Sequence, residues 1–369
     1  MPAAWRVASD TTDHLTTTPV SGRSSPAIYS ATDWIIVVPI KIYVCLPTMS
    51  RHRYRVLRPG PSNRQNAVAV VCLGLVLAFN PVASLAAGCR PVPAEKPAAA
   101  RVDDFKRGLL WKIETAGVAP SYLFGTFHTS DPRITTLPCP VDEVFGQTAS
   151  YTMEVIFNGP GISSMAEAMY FSDGKKLKDV LGDVLYQETL RSIRTNDSSS
   201  QIAIDHMKPW AVLMMLSGPR SGSGLFLDMA LQLRAIYRDK PTYGLETMQE
   251  QIAVFNGMTL DDQIVLLRDA VRDTQRPQDA MEEITQAYLK RDLGALLNLN
   301  EKYKPEDARI YASMMDRLLV QRNINMATRM RVRLQEGNAF IAVGALHLPG
   351  DTGLLRLLRD AGYRVTRIY

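Results

Sequence analysis

Two short motifs near opposite ends of the chain constrain its fold more than any other feature. Gly125-Thr126-Phe127-His128 and Gly344-Ala345-Leu346-His347 both read Gly-x-x-His, and each follows an apolar strand candidate, Tyr122-Leu123-Phe124 and Ala339-Phe340-Ile341-Ala342-Val343. A His at the end of a strand points out of the sheet edge, where open α/β sheets place their ligands. A Gly three residues earlier permits a backbone approach that a side chain would obstruct. Beyond residue 100 the only histidines are His128, His206 and His347, so two of three stand in matched contexts. A fold that uses both must bring distant parts of the chain into one sheet.

The pattern between the motifs agrees. From Trp111 the run Trp111-Lys112-Ile113-Glu114 alternates as a half-buried strand does, and the turn residues Gly117 and Pro120 lead into the strand before His128, a hairpin. Ser150-Tyr151-Thr152-Met153-Glu154-Val155-Ile156-Phe157 reads as a third strand. Amphipathic helical periodicity then runs from about Ser163 to Glu336, with expected apolar stripes Leu177, Val180, Leu181, Val184, Leu185 and Leu225, Met229, Leu233, Ile236, interrupted by the strand-like Thr242-Tyr243-Gly244-Leu245. The C-terminus returns to strand, helix and strand. The reading is α/β: a mixed β-sheet formed by N- and C-terminal strands, covered by a large helical middle region.

The front of the chain reads as an address. Residues 51–64 hold five Arg and no acid, followed by the apolar run from Ala67 to Phe79 and the small residues Ala83-Ser84-Leu85-Ala86-Ala87-Gly88. Positive n-region, apolar core and small-residue exit make a secretory signal peptide, and the run is short of the ~20 residues of a membrane span. Met49 stands just before the Arg cluster. The expected organisation is therefore an upstream over-extension 1–48, a signal 49–88, a linker 89–104 and a domain 105–369, exported to a bacterial periplasm. Membrane contact is then confined to the signal or to lipid on Cys89. In an oxidising compartment Cys89 and Cys139 form an even pair; a disulfide between them, lipidation of Cys89 in Ala86-Ala87-Gly88-Cys89, and free thiols are the three states open to them.

This placement changes the meaning of the net charge of +5, because residues 1–100 carry net +6 and residues 101–369 net −1. A near-neutral domain is no nucleic-acid binder by charge, and no nucleic-acid partner is expected.

Glu154 interrupts an otherwise apolar strand, so it needs a metal, an Arg or a His as partner. His-Glu-x-x-His, a phosphate-binding Gly-x-x-x-x-Gly-Lys-Ser/Thr loop and a Gly-x-Ser-x-Gly elbow are all absent. Ser221-Gly222-Ser223-Gly224 follows no strand and reads as a flexible loop, a candidate lid.

Leu123-Phe124-Gly125-Thr126-Phe127-His128, Gly244-Leu245-Glu246-Thr247 followed by Gln251, Arg322-Asn323, and Val343-Gly344-Ala345-Leu346-His347-Leu348-Pro349-Gly350 with Gly353 and Gly362-Tyr363 together resemble the TraB/GumN family, which includes the Tiki metalloproteases. The resemblance spans roughly residues 105–369 in the family's order. It implies a fold related to the erythromycin-esterase-like hydrolases and, in the Tiki branch, a peptidase dependent on a divalent metal (Mn, Co or Zn) that acts on peptide or protein substrates. Carried over, His128 and His347 match the motif histidines as metal ligands. The carboxylate must come from elsewhere: Glu154, the acid inside the apolar strand, is the first choice as ligand or general base, and Glu246 the second. Glu246 also matches the pattern, and Arg322 and Asn323 are candidates to hold a substrate carbonyl or carboxylate, or an oxyanion.

Each has a plainer reading. The histidines can be structural, Glu154 can be a salt-bridge partner of Arg322, and Glu246 can cap the helix beginning at Thr247. His206 reads as structural and Asp351 as a helix cap. At the level of the whole protein, the alternative to a hydrolase is a non-catalytic envelope protein that binds or sequesters a peptide or supports polysaccharide export.

Overall fold

A computed structural model describes residues 89–91, 105–193, 198–217, 225–272 and 276–369. The upstream extension, the signal peptide, most of the linker and the 221–224 loop lie outside the described residues.

One six-stranded sheet organises the domain. Its strands are β1 (Leu110–Glu114), β2 (Ser121–Thr126), β3 (Ser150–Val155), β4 (Thr242–Glu246), β5 (Ala339–Gly344) and β6 (Arg364–Arg367). The spatial order is β4-β3-β5-β2-β1-β6, with β4, β3, β5 and β2 parallel to one another and β1 antiparallel to both β2 and β6. The expected mixed sheet is present, and the late strand β5 is inserted between β2 and β3. Its run Ala339-Phe340-Ile341-Ala342-Val343 is fully buried, the continuous apolar pattern a central parallel strand requires. Phe340 packs edge-on against Phe145 and lies beside Phe124 and Tyr151, so the core is knit around the strand that carries the second motif.

A second core lies among the helices, built on Leu177, Leu185, Trp210, Val212 and Leu267. Two expected stripes are corrected here. Gly182, at φ 73°, breaks the helix Leu177–Ile193, which leaves Val184 75% exposed. In the helix Leu227–Tyr237 the inward face is Leu227, Asp228, Leu231, Gln232 and Ala235, while Leu233 and Ile236 are 49% and 54% exposed and Leu225, ahead of the helix, is 41% exposed. The periodicity misled because Asp228 and Gln232 are polar residues used on the buried side. Gln232 clamps the chain after β3, accepting from Phe157 N and donating to Phe157 O at 2.9 Å each.

Cys89 and Cys139 are joined by a disulfide. That bond uses the sulfur a lipid would need. No helix among the described residues is long and apolar enough to cross a membrane.

Candidate functional site

Because β4, β3, β5 and β2 run parallel, their C-terminal ends share one edge. Register sets Thr126 beside Gly344 and Val155 beside Glu246, so both Gly-x-x-His motifs, Glu154 and Glu246 leave the sheet on that side. The glycines are there for space. A Cβ on Gly125 would come within 2.8 Å of Leu348 Cδ1 and 3.1 Å of Ala345 Cα, and one on Gly344 would lie 3.3 Å from Glu154 Oε1 and 3.5 Å from the His347 ring.

Glu154 is buried. Its Oε1 accepts from Gly344 N at 2.6 Å and lies 3.6 Å from His347 Nε2; its Oε2 accepts from Arg322 Nη2 at 2.5 Å and from Gln251 Nε2 at 3.4 Å. Burial opposes its charge, but His347 once protonated in acid, Arg322, His128 and the Gly344 N–H carry its pKa down to about 2. Arg322 also forks onto Glu246, with Nε 2.9 Å from Oε1 and Nη2 2.6 Å from Oε2, and its Nη1 donates to Leu318 O at 3.2 Å. Burial works against the guanidinium charge, and Glu246 with Glu154 holds it well above its ordinary range. Both acids therefore have Arg322 as a buried counter-charge, and Gln251 bridges them, also reaching Glu246 Oε2 at 3.2 Å.

His347 is buried and turned by Asn323. Asn323 Nδ2 donates to Thr352 O at 2.9 Å, which leaves Oδ1 to accept from His347 Nδ1 at 2.6 Å. The proton thus sits on Nδ1 and the lone pair of Nε2 faces Glu154. Burial pushes the ring's pKa down to about 4, with Glu154 opposing and Arg322 and His128 reinforcing, so the ring is neutral at pH 7.

His128 is oriented differently. Its Nδ1 lies 2.7 Å from Asp228 Oδ2, and Asp228 Oδ1 accepts from Thr126 Oγ1 at 2.6 Å. Asp228 is buried, whereas 58% of the His128 side chain is open to solvent, as expected for a ring on the wall of a concave site. Desolvation by the walls of the site pushes its pKa down, but the Asp228 charge and hydrogen bond, with Glu154 adding, lift it to about 9.

The fold therefore joins Glu154, Glu246 and Arg322 in one hydrogen-bonded network and sets the hydrogen-bonded pair Asn323 and His347 against it, His347 Nε2 3.6 Å from Glu154 Oε1, with His128 electrostatically coupled to Glu154. Two plainer readings are corrected. Thr247 and Glu250 form the capping box of the helix Met248–Asn256, which leaves Glu246 to Arg322. Asp351 caps nothing: Gly353 is the N-cap of the helix Leu354–Asp360, and Asp351 is exposed beside Arg356. His206 is exposed and, just past the helix Ser198–Asp205, bonds back to Ile202 O at 2.8 Å. Asp228 and Gln251 were not singled out as site residues. Asp228 had a signal, an acid inside the apolar run Leu225-Phe226-Leu227-Asp228-Met229-Ala230-Leu231, the same signal that picked out Glu154.

Among the described residues, no three His, Cys, Asp or Glu side chains close on a single point tightly enough to enclose an ion. The pair Glu154 and His347 offers carboxylate oxygen and imidazole nitrogen side by side, which is the donor chemistry divalent transition ions accept.

Comparisons with known proteins identify relatives of the chain. The chain is 26% identical over 310 residues to the metalloprotease TIKI2 of Xenopus tropicalis, covering 69% of this chain and 59% of that protein. It is 25% identical over 323 residues to human metalloprotease TIKI1, covering 73% and 63%. The chain thus spans about three fifths of the length of these curated relatives. No solved structure matches it. The TraB/PrgY/gumN family profile matches residues 109–367, which takes in every strand of the sheet and every residue of the network, and the chain belongs to that family.

Proposed function

We propose that this chain is an exported, metal-dependent hydrolase acting on peptides or proteins. The observation that carries the reading is the bare Nε2 of His347 facing the ionised Oε1 of Glu154 at 3.6 Å on the C-terminal edge of the sheet. His347 and Glu154 would hold a divalent ion such as Mn, Co or Zn, with His128 the candidate third ligand, and that ion would supply Lewis acidity toward a scissile carbonyl oxygen.

The chain's own groups prepare the site. Asn323 keeps the proton of His347 on Nδ1, and Asp228 holds His128 by its Nδ1, so each ring turns Nε2 to the edge; His128, cationic in the metal-free protein, would release its Nε2 proton to take an ion. Glu154, with its pKa near 2, is a poor general base at neutral pH, so of its two candidate roles the ligand role fits better. Arg322 spends its donors on Glu154, Glu246 and Leu318 O; its place is to hold the carboxylates rather than to grip substrate. His128, half open to solvent, is the group best placed to meet substrate. The signal-like front end and the disulfide support an exporting, oxidising context.

One observation favours a second reading, a non-catalytic protein that binds or sequesters a peptide or supports polysaccharide export: the lack of three converging ligands among the described residues. Metal uptake measured by calorimetry with Mn, Co and Zn, paired with peptide-library cleavage by wild type and His128→Ala, decides between them. Uptake with cleavage lost in the variant supports the hydrolase. Neither uptake nor cleavage leaves the binding protein.

A further inference from the structure

Next to the ion-pair network lies an apolar cavity of about 50 Å³, roughly four times what one water needs. Trp210 forms part of its floor, stacked on Phe255 with ring centroids 5.0 Å apart, and Met214, Val254, Met258, Met314 and Leu318 are among its walls. Of the side chains lining it only Arg317 is charged. Met214 is 38% exposed, and Val254, Met258, Met314 and Leu318 are half-buried, so the cavity opens to solvent and its walls are incompletely covered.

Its position follows from two elements that also carry site residues. Val254 stands three residues after Gln251 on the helix Met248–Asn256, and Leu318 stands four residues before Arg322, each one helical turn, about 5.4 Å, from a group that bonds Glu154. The carbonyl of Leu318 is itself the acceptor of Arg322 Nη1. Between the helices Ala308–Met315 and Gln321–Glu336 the chain takes a π-helical turn, Asp316–Val320, at the cavity wall. Such turns are rare and occur frequently at functional sites.

We propose that this cavity is the specificity pocket of the site and takes an aliphatic or methionine side chain of a bound peptide, close to the bond addressed by His347 and Glu154. Resting on the peptidase reading, this inference names the substrate class for that site. An extended peptide advances about 3.3 Å per residue, so a side chain one or two residues from the reacting carbonyl reaches a pocket one helical turn away. Apart from Arg317 the lining is apolar, so an amide side chain entering it would leave polar atoms unpaired. Three methionines make the wall adaptable to unbranched and branched apolar groups alike.

The test titrates end-blocked hexapeptides of glycine bearing one Leu, Met, Gly or Asp into the full chain carrying ¹³C-methyl methionine. It follows the methyl resonances of Met214, Met258 and Met314, and scores cleavage of the same peptides. The Leu and Met peptides are expected to shift those resonances and to bind about 10-fold or more tightly than the Gly peptide. Val254→Phe and Met314→Trp, which fill the cavity, should erase that preference while leaving the fold and metal uptake intact. His128→Ala should keep the preference in binding even where cleavage is lost. Leu-selective binding without cleavage by any protein would sink the hydrolase and spare the pocket. Cleavage with no Leu preference, or filled variants that merely raise Tm with selectivity unchanged, would make the cavity a packing void and overturn the proposal.

Discussion

His347 Nε2 lies 3.6 Å from Glu154 Oε1, with the imidazole proton held on the far side of the ring by Asn323 Oδ1 at 2.6 Å. Two electron-rich atoms thus face one another across a buried edge with no proton between them. Each is held there by other bonds: Asn323 turns the ring, and Gly344 N with Arg322 fixes the carboxylate. Such a pair is at ease only with a cation or donor between its members.

Asn323→Ala removes the group that selects the His347 tautomer. Affinity for Mn or Co, read by calorimetry, is expected to fall about 10- to 100-fold, as for other lost partners of ligating histidines. Asn323→Asp, which keeps an acceptor in place, should recover most of it. Equal affinity in wild type and Asn323→Ala would mean that His347 is no ligand.

Arg322→Met leaves Glu154 and Glu246 as two buried carboxylates without their cation. The expected cost is about 3–5 kcal/mol, read as a lowered denaturation midpoint with unchanged m value. Adding Glu246→Gln to this variant should recover part of the loss, since one uncompensated charge is then removed.

Gly344→Ala separates site from scaffold. The backbone at Gly344, φ −54° and ψ 136°, suits alanine, so stability should change little, but the new Cβ would crowd Glu154 Oε1 at 3.3 Å and weaken metal binding. Gly125→Ala meets Leu348 and the Ala345 backbone instead and should cost about 1–3 kcal/mol in thermal unfolding.

The His128 and Asp228 pair gives the metal-free protein a pH signature. The pKa of His128 in the fold is about 9, above the ordinary 6.5 of the unfolded chain, so the pair's contribution is complete below pH 6.5 and is lost as pH rises toward 9. Solvent at the open His128 ring screens the effect. The slope of Tm against pH over that window should flatten in Asp228→Asn; an unchanged slope would deny the pairing.

Reduction of the Cys89–Cys139 disulfide opens a loop with a sequence separation of 50 residues. A loss of about 4 kcal/mol is expected from loop entropy, visible as a lower Tm in reductant and absent in Cys89→Ser.

Much of this was legible without coordinates. The matched Gly-x-x-His motifs, the strands at both ends and the acid inside β3 are local patterns of residue type, and local pattern suffices to say that a strand ends, that a glycine makes room, or that a buried acid needs a partner. Which partner it finds is not local. Arg322 lies 168 residues from Glu154 and 76 from Glu246, and Asp228 lies 100 from His128; only the insertion of β5 between β2 and β3 brings these groups to one edge. The same holds for the helix Leu227–Tyr237, whose apolar stripe pointed one way while its buried face was set by what Asp228 and Gln232 had to reach. By itself the amino-acid order determined which residues could do chemistry and at which ends of which strands they stand. The tertiary structure alone decided their hydrogen-bond partners, and with them which histidine is neutral, which is cationic and which carboxylate faces a lone pair, because those states depend on burial and on charges brought together from far along the chain.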